Sequence, residues 1–312
     1  MFNRLVQSEQ LQNFANKNLA NTRFANGWFA KNLLDIKSDS KLPARLPTEA
    51  ESLLDHSLEE ECIAGRTLRL LSFNIQAGQS SSGYSDYLTN AVRQFLPSAN
   101  LPHLDSLGEI IKEYDIVALQ EVDGGSLRSG FVNQLDYFAE LGDFDYRYQQ
   151  LNRDLGRIGQ YSNGMLSRCL PHCVKAHKLP GFPGRGAIVA KFGQRSNPLV
   201  LVGLHLALSK EAQRRQLDYV AELLSDYEHV IIMGDLNCES EHLLETELKS
   251  LGLTHASDCI NTFPSWRPSK ALDHILVSSG LSILEVKALD TDLSDHLPLS
   301  IEVQIPPLGR LN

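Results

Sequence analysis

The chain has no apolar run of the roughly 20 residues a membrane-spanning helix needs. Its amino terminus, Met-Phe-Asn-Arg, continues in Gln, Asn and Ser without the apolar core of a secretory signal. A cytoplasmic location is the resulting expectation. Cysteine is scarce: Cys62, Cys169, Cys173, Cys238 and Cys259 are odd in number and scattered over 312 residues. A chain this long needs no covalent staples, so reduced thiols are expected. Cys169 and Cys173 lie near His172 and His177, but no second ligand pair at finger-like spacing follows, and zinc is not expected there. Basic charge is in deficit, with 29 Lys and Arg against 38 Asp and Glu, a net charge of −9. Non-specific nucleic-acid binding is supplied mainly by Lys and Arg, so nucleic acid is disfavoured as a partner unless a local basic groove exists. A Gly-X-Ser-X-Gly nucleophile elbow, a Gly-rich phosphate loop, fixed-period repeats and coiled-coil heptads are all missing.

What is present supports a substantial core, with 42% hydrophobic residues. Residues 1 to 60 differ in texture from the rest. Asn and Gln are frequent, and Leu11, Phe14, Phe24, Trp28, Phe29 and Leu33 recur at intervals that fit helices with one apolar face. Packing against the main domain or a second copy is the favoured use of that face; membrane contact, aided by Arg23, Lys31 and Lys37, is the alternative. Oligomeric state is not legible. Pro43, Pro47 and Glu59-Glu-Glu61 make a linker, and the second domain spans residues 67 to 305.

Within that domain short apolar runs alternate with helical spacing, the pattern of a layered α/β fold. Val230 to Met233 reads as a buried strand ended by Gly234, and beyond it an extended backbone would turn Asp235 and Asn237 to one side. Gly-Asp-X-Asn equally suits an ordinary turn, in which Asp and Asn bond their own backbone. The same coincidence recurs, however. Leu68 to Asn74 ends on Asn74, Asp115 to Glu121 on Glu121, and Leu199 to Leu206 carries His205 near its end. Leu272 to Val277 opens with Asp273 and His274, and Asp295 with His296 precedes Leu299 to Ile305. Helices are expected around Gln134 to Leu141 and over Glu211 to Leu224. A polar stretch from Gln79 to about Leu104 reads as a long loop.

Seven motifs occur in order: Ser72-Phe-Asn74, Leu119-Gln-Glu121, Ser162-Asn163-Gly-Met-Leu-Ser167, Gly203-Leu-His205-Leu206, Gly234-Asp-Leu-Asn237, Leu272-Asp273-His274-Ile275 and Ser294-Asp295-His296. Together they resemble the endonuclease/exonuclease/phosphatase superfamily, which includes deoxyribonuclease I, abasic-site endonucleases, neutral sphingomyelinases, inositol-polyphosphate phosphatases and deadenylases. The resemblance implies a four-layer α/β sandwich: two mixed β-sheets face to face, helices outside, and a metal-dependent phosphoesterase site at one edge. Mg²⁺, with Mn²⁺ as a substitute, suits such a site, because it takes oxygen ligands and needs only one or two protein carboxylates.

By that resemblance Glu121 and Asn74 hold the metal, with Asp295 available to a second metal position. Asp235 orients and deprotonates the water, Asn237 holds water or phosphate, and His296 bonds a phosphate oxygen. Asp273 fixes the tautomer of His296, while His205 and Asn163 reach the phosphate from the other side. Arg185, between Gly184 and Gly186, is a secondary phosphate contact by the shape of its guanidinium, and His274 is structural. A carboxylate partner for His205, present in the deoxyribonuclease pattern, has no counterpart that can be placed. The implied activity is Mg²⁺-dependent hydrolysis of a phosphate mono- or diester. Gly203-Leu-His205-Leu is closer to the lipid, phosphatase and deadenylase branches than to abasic-site endonucleases. A nuclease of the same superfamily is the nearer alternative, and a non-catalytic binding protein the more distant one.

Overall fold

A computed structural model describes residues 63–78 and 101–307. The expected helices of residues 1 to 60, the linker and most of the long polar loop lie outside these residues. The loop expectation fails at its end, because a helix α1 (Leu101–Ile111) already begins at Leu101. Its buried residues include His103, Leu104, Leu107 and Ile111, and the helical spacing of Leu107, Ile110 and Ile111 is already legible in the sequence.

Two six-stranded sheets follow. The first has the order β11 (Ser282–Ala288), β12 (Leu299–Gln304), β1 (Thr67–Asn74), β2 (Ile116–Asp123), β4 (Gln160–Ser167), β3 (Tyr146–Asp154). In the second the order is β5 (Cys173–Lys178), β6 (Gly186–Phe192), β7 (Leu199–His205), β8 (His229–Asp235), β10 (Asp273–Val277), β9 (Thr254–His255). Only β1–β2 and β7–β8 pair in parallel; every other pair is antiparallel, so both sheets are mixed. The parallel pair β7–β8 is joined by α3 (Lys210–Leu224), as a parallel crossover requires.

Period-two alternation sorts each inner strand between two cores. Ile188, Leu201, Ile231, Met233 and Ile275 join Leu70, Ile116, Ala118 and Met165 of the first sheet in the core between the sheets. Their neighbours Val189, Val200, Val202, Val230 and Ile232 face Leu217, Val220 and Leu224 of α3. Helix α2 (Gln134–Leu141) covers the outside of the first sheet, and α1 packs against α2. The result is the expected four-layer α/β sandwich. Gly203 permits the two sheets to approach, since a Cβ there would lie 3.0 Å from that of Ala118.

The thiol expectation is overturned at one position. Cys169 is disulfide-bonded, while Cys173, Cys238 and Cys259 are free. Spacing in the sequence carries no information on which sulfurs a fold brings together. No helix among the described residues is long and apolar enough to cross a membrane.

Candidate active site

Strand register assembles the site. In the second sheet His205 is opposite Asp235, and Asp273 is opposite Asp235 on its other flank. The first sheet ends β1 at Asn74, whose Nδ2 donates to Asp235 Oδ2 at 2.9 Å, a buried bond that links the two sheets. Contrary to the sequence reading, Gly234 does not end the strand; β8 runs on to Asp235. Glycine is required by close approach, because a Cβ at 234 would sit 2.0 Å from the Leu204 carbonyl oxygen. Gly234→Ala is therefore expected to push β8 from β7, costing about 1–3 kcal/mol in chemical denaturation, and to displace Asp235 enough to lower turnover at least tenfold.

Beyond β8 the turn reading holds. Asn237 is not extended, with φ +52°, and its backbone N–H donates to Asp235 Oδ1 at 3.0 Å. This Asx-type turn fixes the Asp235 carboxylate from behind. The Asn237 side chain donates to the Leu206 carbonyl at 3.0 Å.

Opposite Asp235 stands a buried acid–imidazole pair. His296 Nδ1 donates to Asp273 Oδ2 at 2.7 Å, and its Nε2 lies 3.9 Å from Asp235 Oδ2. Burial would lower the His296 pKa, but the carboxylates of Asp273 and Asp235 outweigh it and hold the pKa well above the ordinary value. His296 is thus an imidazolium at neutral pH. Thr262, buried and unnoticed in the sequence, donates its hydroxyl to Asp273 Oδ2 at 2.5 Å. Phe263 packs a tilted ring on His296 at 4.9 Å between centroids. His274, turned to the other face, bonds the Cys238 carbonyl through Nε2 at 2.6 Å and His255 through Nδ1 at 2.9 Å. A carbonyl only accepts, so Nε2 of His274 carries its proton and Nδ1 accepts from His255.

His205 has the opposite charge state. Burial above all drives its pKa down to about 3, with Asp235 opposing and Arg185 and His296 adding to the depression. Its Nε2 is 3.4 Å from Asp235 Oδ2, while Arg185 Nη1 lies 2.9 Å from Nδ1 and 2.6 Å from Nε2. Asp235 is therefore the carboxylate next to His205, which the sequence left without a partner. Asn163 donates to the Gly186 carbonyl at 2.8 Å, and Gly186 is opposite His205 in the sheet. The Asn163 Oδ1 is buried without a hydrogen-bond partner.

Glu121 sits where the β2–β4 register breaks, between Leu119 and Val122, with φ +57°. Such a bulge re-aims a side chain at a strand end. Burial first and then Asp235 raise the Glu121 pKa, against His296, Arg185 and Arg128. Asp295 is raised to about 6, by burial first, with Glu121 and Asp235 adding to it. The loop after the bulge is pinned by a fully buried Asp123. It accepts from the Ser126 backbone at 2.7 Å, the Ser126 and Ser129 hydroxyls at 2.7 and 2.9 Å, and Arg128 Nε at 3.0 Å. Arg128 stacks over Tyr161 at 4.1 Å. Neither Asp123 nor Arg128 figured in the sequence reading, although the Glu-Val-Asp spacing places a second carboxylate in the same strand.

The oxygen donors fit a hard divalent cation. Glu121 is half-buried and Asp295 buried; desolvation and the Asp235 carboxylate disfavour ionisation of both, Glu121 adds to this at Asp295, and a cation would relieve these effects. Asp235, Asp273 and His296 also offer ligand atoms within 4.8 Å of one another, the only such group of acid, thiol and imidazole side chains among the described residues. Yet His296 is cationic and its Nδ1 proton is committed to Asp273. That trio is better suited to holding a proton than a metal.

The endonuclease/exonuclease/phosphatase family model matches residues 71–296. The chain belongs to this family. No curated protein matches it. Among solved structures, the mannosyl-6-phosphatase of Bacteroides thetaiotaomicron is similar over 76% of this chain and 99% of its own, at 16% identity and TM-score 0.58. A family protein from Leptotrichia buccalis covers 76% of this chain and 100% of its own, at 17% identity and TM-score 0.58. The catalytic domain of human Nocturnin, solved with a bound sulfate anion, covers 76% and 94% at 17% identity and TM-score 0.55. At such identities the likeness is one of fold, and family members include both phosphatases and nucleases by name.

Proposed function

We propose that this family member is a Mg²⁺-dependent hydrolase of phosphate esters, acting on mono- or diesters. The observation that carries the reading is the convergence on Asp235 Oδ2 of a neutral imidazole at 3.4 Å, a cationic imidazole at 3.9 Å and the Asn74 amide at 2.9 Å. A carboxylate so placed is a general base for water, and the imidazolium beside it is a donor for a non-bridging phosphate oxygen. Asp273 holds that donor charged and oriented. Arg185 and neutral His205 bind the phosphate from the facing side, and Asn163, anchored on Gly186, supports them. Glu121 with Asn74, and Asp295 for a second ion, would hold Mg²⁺. When bound, the ion supplies charge neutralisation at the phosphoryl oxygens and at the leaving oxygen.

A panel of phosphate-release and diester-cleavage assays, run with Mg²⁺, Mn²⁺ and chelator, tests this. Nucleotides, sugar phosphates, DNA, RNA and phospholipids belong in it. Turnover of at least one class that chelation abolishes is expected. Absence of turnover across the panel, with the folded chain binding one of these ligands, would instead favour the binding-protein alternative.

A further inference from the structure

Nine large apolar side chains are exposed among the described residues, and six of them gather at one side of the site: Leu127, Phe131, Leu151, Leu155, Ile158 and Phe182. Phe182 is 92% exposed, Ile158 52% and Phe131 51%, so they are not the margins of a core. They occupy three adjoining segments. Leu127 and Phe131 lie in the loop after β2, Leu151, Leu155 and Ile158 in the β3–β4 hairpin, and Phe182 in the loop before β6. The Leu127 N–H donates to the Arg157 carbonyl at 2.7 Å, which ties the first segment to the hairpin tip. A Cβ on Gly184 would lie 4.0 Å from that of Arg153, which sets the third segment against the same hairpin. The patch borders the site, because Arg185 follows Phe182 by three residues and bonds His205. Arg128, next to Leu127, pairs with Asp123, two residues past Glu121.

Its charge is opposite to that of the whole. The hairpin tip Leu151-Asn-Arg-Asp-Leu-Gly-Arg-Ile158 exposes Arg153 and Arg157 between the apolar side chains. Its one acid, Asp154, accepts from the Gly156 N–H at 2.7 Å and so bonds its own turn. A positive, apolar tip on a chain of net charge −9 is what an interfacial membrane element requires: side chains that enter the acyl boundary, and guanidinium groups at the headgroup level. A nucleic-acid surface needs several cations along a phosphate backbone and gains little from exposed aliphatic groups. We infer that the loops around the β3–β4 hairpin dock this protein on an anionic lipid surface. The inference rests on the phosphoesterase reading only for its purpose, which is to bring the site to phosphate esters held at that surface.

Flotation of the full chain with phosphatidylcholine vesicles, with and without roughly one-fifth phosphatidylserine, tests it without any turnover. Binding is expected to the anionic vesicles and to be at least about tenfold weaker for neutral ones. Ile158→Ser with Phe182→Ser should weaken it about tenfold or more, and so should Arg153→Glu with Arg157→Glu. Both double variants should keep their thermal unfolding and their hydrolysis of a small soluble phosphate diester. Failure of the unaltered chain to float overturns the inference. Flotation that both variants retain also overturns it, since the contact then lies elsewhere, as in residues 1 to 60. If the same variants instead lose binding to a labelled single-stranded DNA at physiological salt, the surface belongs to nucleic acid. Glu121→Gln should float like the parent, so loss of the catalytic reading alone would leave the docking result standing.

Discussion

Glu121→Gln should lower turnover about 10³-fold or more while leaving the fold at least as stable. The first effect follows from the several kcal/mol that a bound cation contributes to phosphoryl transfer, at about 1.4 kcal/mol per tenfold; glutamine preserves the volume but offers no anion. The second follows from linkage. The Glu121 pKa is raised in the folded state, so stability falls as pH rises from the unfolded carboxylate pKa to the folded one, and the loss persists at neutral pH. Glutamine carries no charge and removes that cost. Thermal unfolding without metal should therefore be unchanged or higher for the variant. Added Mg²⁺ should raise the unfolding temperature of the parent by mass action but not that of Glu121→Gln. Near-parental turnover at limiting Mg²⁺ would remove Glu121 from the metal site.

The contrast between Glu121 and Thr262 marks what can be read from a chain of this kind. Glu121, Asp235 and Asp273 are conspicuous because each adjoins a run of apolar residues, and the strands that carry them are buried on both faces. Of the six strands that the sequence reading does not identify, β4 and β6 lie inside the sheets, and the other four, β3, β5, β9 and β11, lie at sheet edges. There solvent takes one side and the pattern turns to the mixed exposure of Tyr146–Asp154 or Ser282–Ala288. The site shows the same division. Asp273 and His296 are legible as types, but Thr262, which orients Asp273, lies in a loop with no periodicity. Left-handed φ at Glu121 and Asn237 is likewise set by tertiary context, since neither residue signals it as glycine would. Asp235 as the acidic neighbour of His205 is a matter of strand register, and register is invisible until both strands are paired.

The pair Asp273 and His296 should behave as one unit. His296 carries its proton because Asp273 and Asp235 overcome burial, so Asp273→Asn takes away the larger of the two supports and the acceptor for Nδ1. The His296 pKa should fall, and activity that depends on the imidazolium should be lost at lower pH than in the parent, shifting the alkaline limb of the pH–rate profile toward acid. Linkage has the same sign. A raised folded pKa gives stability that is fully present below about pH 6.5 and is lost as pH rises through the folded value, and Asp273→Asn should shrink that pH dependence. His296→Ala should cost about 10²-fold or more in turnover, the usual loss for a preorganised donor. With Asp273→Asn added, turnover should scarcely fall further, because residues that act together are non-additive. Mg²⁺ affinity, read from the thermal shift, should stay near the parental value in all three variants, since Glu121 and Asn74 are untouched. Fully multiplicative losses would show instead that Asp273 acts on the reaction without His296.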